Sequence, residues 1–334
     1  MNRIEDPLKI ERDLFNIQSE RDFNQVALSV FFFQARNNPV YSEYCHLLGI
    51  NPHEVISVKE IPFLPIEFFK QHRILTGTEQ WEQVFISSGT TGMERSRHYV
   101  KRLDLYRKSF LNTFKHFYGS ASKYCILAIL PGYLEQKHSS LVFMISELIN
   151  RTAHPDSGFY LSDYASLAGK LRKLGEQNQK VMLFGVSHAL LDMAEKYRFH
   201  LKNTMVMETG GMKGRREEIT REELHRLLME AFGVERIHSE YGMAELLSQA
   251  YSRRNGRFKP APWMRVLIRD FYDPFSFLES GRSGGINIID LANLYSCSFI
   301  ETKDVGRLHQ DNSFEVLGRF DYSDIRGCNL MVME

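Results

Sequence analysis

The chain has 334 residues, a net formal charge of +1 and 25% charged side chains, so no overall field steers it toward nucleic acid or an anionic membrane. That length can bury a full hydrophobic core without disulfide or metal staples. Cys45, Cys125, Cys297 and Cys328 lack Cys-x-x-Cys spacing, which argues against a zinc ribbon, a thioredoxin motif or a disulfide framework and fits a reducing cytoplasm.

The N-terminus is charged at once and has no signal-peptide-like apolar segment behind it, so export is not expected. Residues 1–80 read as a helical N-terminal region. Phe23, Val26, Ala27, Val30 and Phe31 fall at helical spacing after a cap at Ser19, and Asn37-Asn38-Pro39 ends that helix. A second short helix runs from about Tyr41 to Gly49, and Pro62 and Pro65 then force an extended passage. Residues 81–259 alternate strand and helix. Val84 to Ile86, Tyr124 to Leu130, Val181 to Phe184, Met205 to Met207 and Arg236 to His238 read as strands, and a helix starts at a Thr220/Glu223 capping box. This predicts a mostly parallel α/β core. Residues 260–334 read as a β-rich C-terminal subdomain, with strands near 266–268, 286–289 and 314–317. The richest apolar stretches, around 124–134 and 141–149, are too short and too interrupted to cross a membrane, so no membrane insertion is expected.

Five clusters carry the chemistry. Ser87-Ser88-Gly89-Thr90-Thr91-Gly92 directly follows a strand; small residues let the backbone curl, and its N–H groups and hydroxyls can surround a phosphate. No Gly-Lys-Ser/Thr follows, so it is not a Walker loop, and on composition alone a plain turn is an equal reading. Arg95 and Arg97 favour an anion site. Gly210-Gly211-Met212-Lys213-Gly214-Arg215 lies between a strand and a helix. Its glycines allow a flat ligand to approach, although a strand-to-helix connection with a basic tip explains it as well. In Glu240-Tyr241-Gly242-Met243-Ala244-Glu245, Tyr241 can stack on a base and Glu245 can hold magnesium, while capping and packing at a helix start is the ordinary alternative. Asp304, in Thr302-Lys303-Asp304-Val305-Gly306, can accept both ribose hydroxyls, and Arg319, in Gly318-Arg319-Phe320-Asp321, can pair with phosphate oxygens; hairpin turns account for each equally.

In this order the clusters resemble the adenylate-forming superfamily, which includes acyl-CoA synthetases, firefly luciferase and phenylacetate–CoA ligases. Residues 87–92 match its phosphate loop, Tyr241 to Glu245 its Tyr-Gly-x-Thr/Ala-Glu motif, Asp304 its ribose-binding aspartate, and residues 318–327 its Gly-Arg-x-Asp segment. Within it the chain most resembles the acyl-protein synthetases of the LuxE type, through Leu130-Pro131-Gly132-Tyr133-Leu134, Ser139 to Val142 and Thr209 to Arg215. The resemblance implies the large-domain fold of that superfamily, ATP with magnesium, and activation of a carboxylic acid, fatty or otherwise, as its acyl-adenylate. It implies Glu245 on the metal, the 87–92 loop on the phosphates, Tyr241 with Gly210 and Gly211 on adenine, Asp304 on ribose and Arg319 on a phosphate. Two departures stand out: the Pro-Lys after the loop is missing, and the sequence ends a few residues past Gly327, where typical ligases continue into a mobile domain carrying a catalytic lysine. Lys213 is the candidate for that charge. In the LuxE-type group a cysteine near this point accepts the acyl group, a position filled here by Cys328, whose thiolate nearby Arg326 or Arg319 would favour; a buried structural cysteine is the other reading. The implied partners are a carboxylic acid and an acyl-accepting protein such as an acyl reductase, or coenzyme A. The alternatives are a compact acyl-CoA ligase of the phenylacetate type and a non-catalytic nucleotide-binding protein.

Overall fold

Helices α1 (Pro7–Leu14), α2 (Glu20–Asn37) and α3 (Pro39–Leu47) open the chain in the computed structural model, which describes residues 6–77, 80–88, 94–131, 138–161, 163–210 and 219–320. Helix α2 starts at a reciprocal capping box: Asp22 N–H donates to Ser19 Oγ (3.1 Å), and Ser19 N–H donates back to the Asp22 carboxylate (3.0 Å). Its apolar stripe, Phe23 through Phe31, is buried as the spacing predicts. Asn38 ends α2 and caps α3 by accepting from Tyr41 N–H (3.1 Å). The buried Gln34 amide donates to the carbonyls of Asn293 (2.9 Å) and Leu294 (3.0 Å), tying these helices to a segment far along the chain.

The chain then forms β1 (Leu64–Pro65), α4 (Phe68–Gln71), β2 (Gln83–Ile86), β3 (Arg97–Val100), α5 (Leu103–Tyr118), β4 (Cys125–Ile129), α6 (Ser140–Asn150) and β5 (Gly158–Phe159). Next come α7 (Tyr164–Glu176), β6 (Val181–Val186), α8 (Ser187–Lys196), β7 (Thr204–Thr209), α9 (Arg221–Phe232) and β8 (Ile237–Tyr241). Strands β9 (Ala250–Ser252), β10 (Phe258–Pro260), β11 (Met264–Arg269), β12 (Ser283–Asp290), β13 (Phe299–Leu308) and β14 (Phe314–Arg319) complete the described residues.

One 12-stranded sheet runs β11-β12-β13-β14-β10-β9-β8-β7-β6-β4-β5, with β1 added beside β13. From β8 to β5 the strands pair in parallel, joined by helices, and their near-continuous apolar runs match burial on both faces. From β8 to β11 they pair antiparallel. Of the expected Thr220/Glu223 capping box, the Thr220 half forms, with Glu223 N–H donating to its hydroxyl (3.2 Å).

Residues 84–86 differ from their expected place. They do not enter the parallel sheet; β2 and β3 form a separate antiparallel hairpin. The strand assignment was right, but the partner is the strand on the other side of the hydroxyl-rich loop, a pairing that periodicity cannot show.

Candidate active site

Three of the sequence-selected residues meet, Tyr241, Asp304 and Arg319, and a fourth, Glu245, lies near enough to feel their charges. Tyr241 is the last residue of β8, and its ring packs against Phe258 (5.8 Å between centroids) and Phe314 (5.5 Å). That packing aims the hydroxyl at Asp304, to which it donates at 2.7 Å. Asp304 lies within β13, directly opposite Arg319 of β14 in the strand register, and Arg319 Nε is 3.3 Å from Asp304 Oδ1. Gly306 allows this: a Cβ there would lie 2.4 Å from the Glu315 carbonyl oxygen of the neighbouring strand. The alternative reading of hairpin turns does not hold: Asp304 lies inside β13 and Gly318-Arg319 end β14, and strand pairing creates the Asp–Arg contact. Burial pushes the Asp304 carboxyl upward in pKa, while the Tyr241 hydroxyl and the Arg319, Arg221 and Arg269 charges oppose the shift.

Glu245 is only 5% exposed, and burial raises its pKa; a Ser96 hydrogen bond and the Arg319 charge oppose the rise. No helix starts here. Residues 242–249 are irregular with a turn at 244–245, held by Asn293 Nδ2 donating to the Glu245 carbonyl (2.7 Å) and by Leu247 and Ser248 N–H donating to Asp290 Oδ2 (2.7 and 2.9 Å).

The β2–β3 hairpin docks on this turn. His98 of β3 lies 2.8 Å from the Ala244 carbonyl through Nδ1, which must carry the hydrogen, and burial holds the ring near pKa 4 and hence neutral. The loop between these strands closes at its root, where Ser96 N–H donates to Ser87 Oγ (3.0 Å) and Ser87 N–H donates to the Ser96 carbonyl (3.1 Å). One of the four hydroxyls expected around a phosphate thus has its oxygen engaged in shaping the loop, leaving its O–H to donate. Ser88 is exposed at the edge of the described residues. Gly89, Thr90, Thr91 and Gly92 lie outside them, as do Gly211, Lys213, Arg326 and Cys328.

Gly210 follows β7 with a left-handed backbone (φ 68°) that favours glycine, and its carbonyl accepts from the Ser187 hydroxyl at 2.6 Å. Ser187 also lies 3.2 Å from Glu208 Oε2. Glu208 is buried beside Arg221 Nε and His225 Nε2, both at 3.6 Å, and its carboxyl is kept below the usual range by His225 and Arg221, which overcome the opposing effect of burial. Sequence reasoning missed Ser96, Glu208, Arg221 and Glu240. Ser96 and Arg221 sit where a loop returns to regular structure, and Glu240 immediately precedes Tyr241, so position beside a motif was the available signal.

This donor set suits a magnesium nucleotide. Among the described residues there is no group of three or more His, Cys, Asp or Glu side chains able to hold a metal. One buried carboxylate, Glu245, is nonetheless what magnesium takes when phosphate oxygens and water supply the remaining ligands. Also among the described residues, no helix is long and apolar enough to cross a membrane.

No curated protein matches this chain. Among solved structures, an open conformation of 2-hydroxyisobutyryl-CoA ligase in complex with 2-HIB-AMP and CoA is 11% identical, with a TM-score of 0.67, covering 92% of this chain and 72% of that one. ATP-bound MatB from Rhodopseudomonas palustris is 18% identical with a TM-score of 0.52, covering 71% of this chain and 47% of that one. A long-chain-fatty-acid-CoA ligase, FadD1 from Archaeoglobus fulgidus, is 13% identical with a TM-score of 0.52, over 72% and 52%. The chain spans about half the length of the MatB-type structures it matches (47%), and the likeness establishes the large-domain fold of adenylate-forming ligases. The profile described as acyl-protein synthetase, LuxE, matches residues 5–334. With that match along nearly its whole length, and with Tyr241, Glu245, Asp304 and Arg319 gathered beside the root of a hydroxyl-rich loop, this chain belongs to the LuxE acyl-protein synthetase family.

Proposed function

We propose that the protein activates a carboxylic acid with ATP, releasing pyrophosphate, and then passes the acyl group to a thiol. The observation that carries this reading is the contact of Tyr241 with Asp304, with Arg319 at 3.3 Å from the same carboxylate and Glu245 within the influence of both charges. A buried carboxylate bearing a phenol donor suits ribose hydroxyls, Arg319 suits a phosphate, and Tyr241 with the Gly210-Gly211 backbone suits adenine. The 87–92 loop would surround the phosphates, and Glu245 would hold magnesium, which when bound neutralises phosphate charge. Lys213 supplies the remaining cation. The acid's carboxylate oxygen forms a bond to the α-phosphorus as the bond to pyrophosphate breaks, a step governed by positioning and electrostatics.

Membership of the family supports the second step: the Cys328 thiolate attacks the acyl carbonyl, a thioester forms, and AMP leaves with the bonding pair. Replacing Cys328 by Ser tests the assignment. Acid-dependent pyrophosphate exchange should persist while covalent acylation of the protein disappears. Equal loss of both activities would make Cys328 structural, and thioester appearing on free coenzyme A but never on protein would select a compact CoA ligase instead.

A further inference from the structure

Glu240 has no role in the scheme above. It sits on β8, in register with Thr209 of β7, and is 7% exposed. Side chains alternate across a strand, so Thr209 and Glu208 project to opposite faces of the sheet. Glu208 takes the face of α8 and α9, meeting Ser187 and His225. Thr209 takes the other face, where its hydroxyl donates to Glu240 Oε2 at 2.5 Å. The second oxygen, Oε1, occupies space that exists only because residue 242 is glycine: a Cβ there would stand 2.6 Å from it. Glu240 therefore lies under the first residue of the turn leading from Tyr241 to Glu245.

We propose that Glu240 determines acid binding, donating a hydrogen bond from its Oε1–H to the carboxylate of the incoming acid. The inference rests on the adenylation reading and names a residue of that same site. Oε2 already accepts from Thr209, which leaves Oε1 to carry the proton. It lies next to the turn bearing Tyr241 and Glu245, where an acid must come to reach the α-phosphorus.

The surroundings favour a protonated carboxyl. Burial, joined by the Glu208 charge, pushes Glu240 up to about 7 against the opposing Thr209 bond. Tyr106 and Tyr118 of α5 and Tyr251 of β9 feel its charge, and burial holds all three as neutral phenols. His238, two residues earlier on β8 and 3.2 Å from the Tyr118 hydroxyl, is held near 4 by burial and stays neutral too. Asp290, whose charge also reaches Tyr106, is raised by burial only to about 6, below Glu240. Ionised, Glu240 would repel a second carboxylate in a buried site.

The test is acid-dependent pyrophosphate exchange from pH 6 to 9, reading the KM for acid and for ATP separately. A simple carboxylic acid stays ionised throughout this range, so it adds no inflection. In the wild type the KM for acid should rise about tenfold per pH unit above about 7, with the KM for ATP flat. Glu240→Gln keeps a donor at every pH and should flatten the acid profile. Thr209→Val removes the bond that favours the ionised form, so its inflection should move to higher pH; this variant serves if the glutamine variant fails to fold. A glutamine variant with the wild-type inflection, or an inflection shared equally by the KM for ATP, overturns the assignment of Glu240 alone. Absence of exchange by the wild type with any acid overturns the adenylation reading and this inference with it.

Discussion

Replacing Asp304 by Asn separates the nucleotide role of that carboxylate from its role in the fold. Asp304 is 8% exposed and accepts the Tyr241 hydroxyl at 2.7 Å, while its partner Arg319 has a side chain 72% exposed. An ion pair that open to solvent contributes little to stability. The Asn side chain keeps one acceptor for Tyr241, so the variant should lose only about 1 kcal/mol of folding stability. Ribose recognition changes more. A carboxylate can accept from both ribose hydroxyls, but an amide cannot, and losing one charge-assisted hydrogen bond costs about 1.5–3 kcal/mol. At 1.36 kcal/mol per tenfold change, the KM for ATP should rise about ten- to a hundredfold while the KM for acid stays put. Urea denaturation and pyrophosphate exchange on the same preparation read both quantities. A well-folded variant with an unchanged KM for ATP would refute the placement of ribose at Asp304.

Other outcomes follow from the same geometry. Glu245→Gln should lower pyrophosphate exchange by about two orders of magnitude, because it removes the only proposed metal carboxylate. Its urea midpoint should not fall, since burial already disfavours the charge that the substitution removes. Asp290→Asn should destabilise the fold by about 3 kcal/mol in chemical denaturation, because the carboxylate accepts from Leu247, Ser248 and Ala292 N–H and from the Ser248 hydroxyl, and an amide NH2 would face donors. Glu240 has a pKa raised in the folded state from 4.5 to about 7. Its contribution to stability is therefore full below pH 4.5 and is lost as pH rises through 7, a difference of up to about 3 kcal/mol that Glu240→Gln should abolish in denaturation profiles across that range.

The local parts of the structure were legible in sequence because their causes are local. Ser19 announced the start of α2 as its cap, and Thr220 with Glu223, three residues apart, announced α9. Strand positions such as 181–184 and 286–289 followed from apolar runs. What escaped depends on pairing. Asp304 and Arg319 face each other only through the β13–β14 register, so the sequence, read segment by segment, left a hairpin turn open for each and could not show that they meet. Residues 84–86 were recognisable as a strand, but their antiparallel partner was not. Glu240 looked like one more charged residue near a motif, and only the neighbouring strand, the absent side chain of Gly242 and three nearby tyrosines reveal a largely buried carboxyl held beside the turn to Glu245.

The short strands β9 and β10 have a consequence for how the molecule holds together. Between β10 and β14 the great sheet is joined at a single residue pair, Phe258 opposite Phe314, whose rings stack 5.5 Å apart. Tyr241 stands on one side of that seam and Asp304 on the other, and their buried hydrogen bond is a further stitch across it. A nucleotide grasped by both residues would become one more. Occupancy should then register as slowed backbone amide exchange along β9, β10 and β14, with the substrate itself acting as mortar between two blocks of sheet.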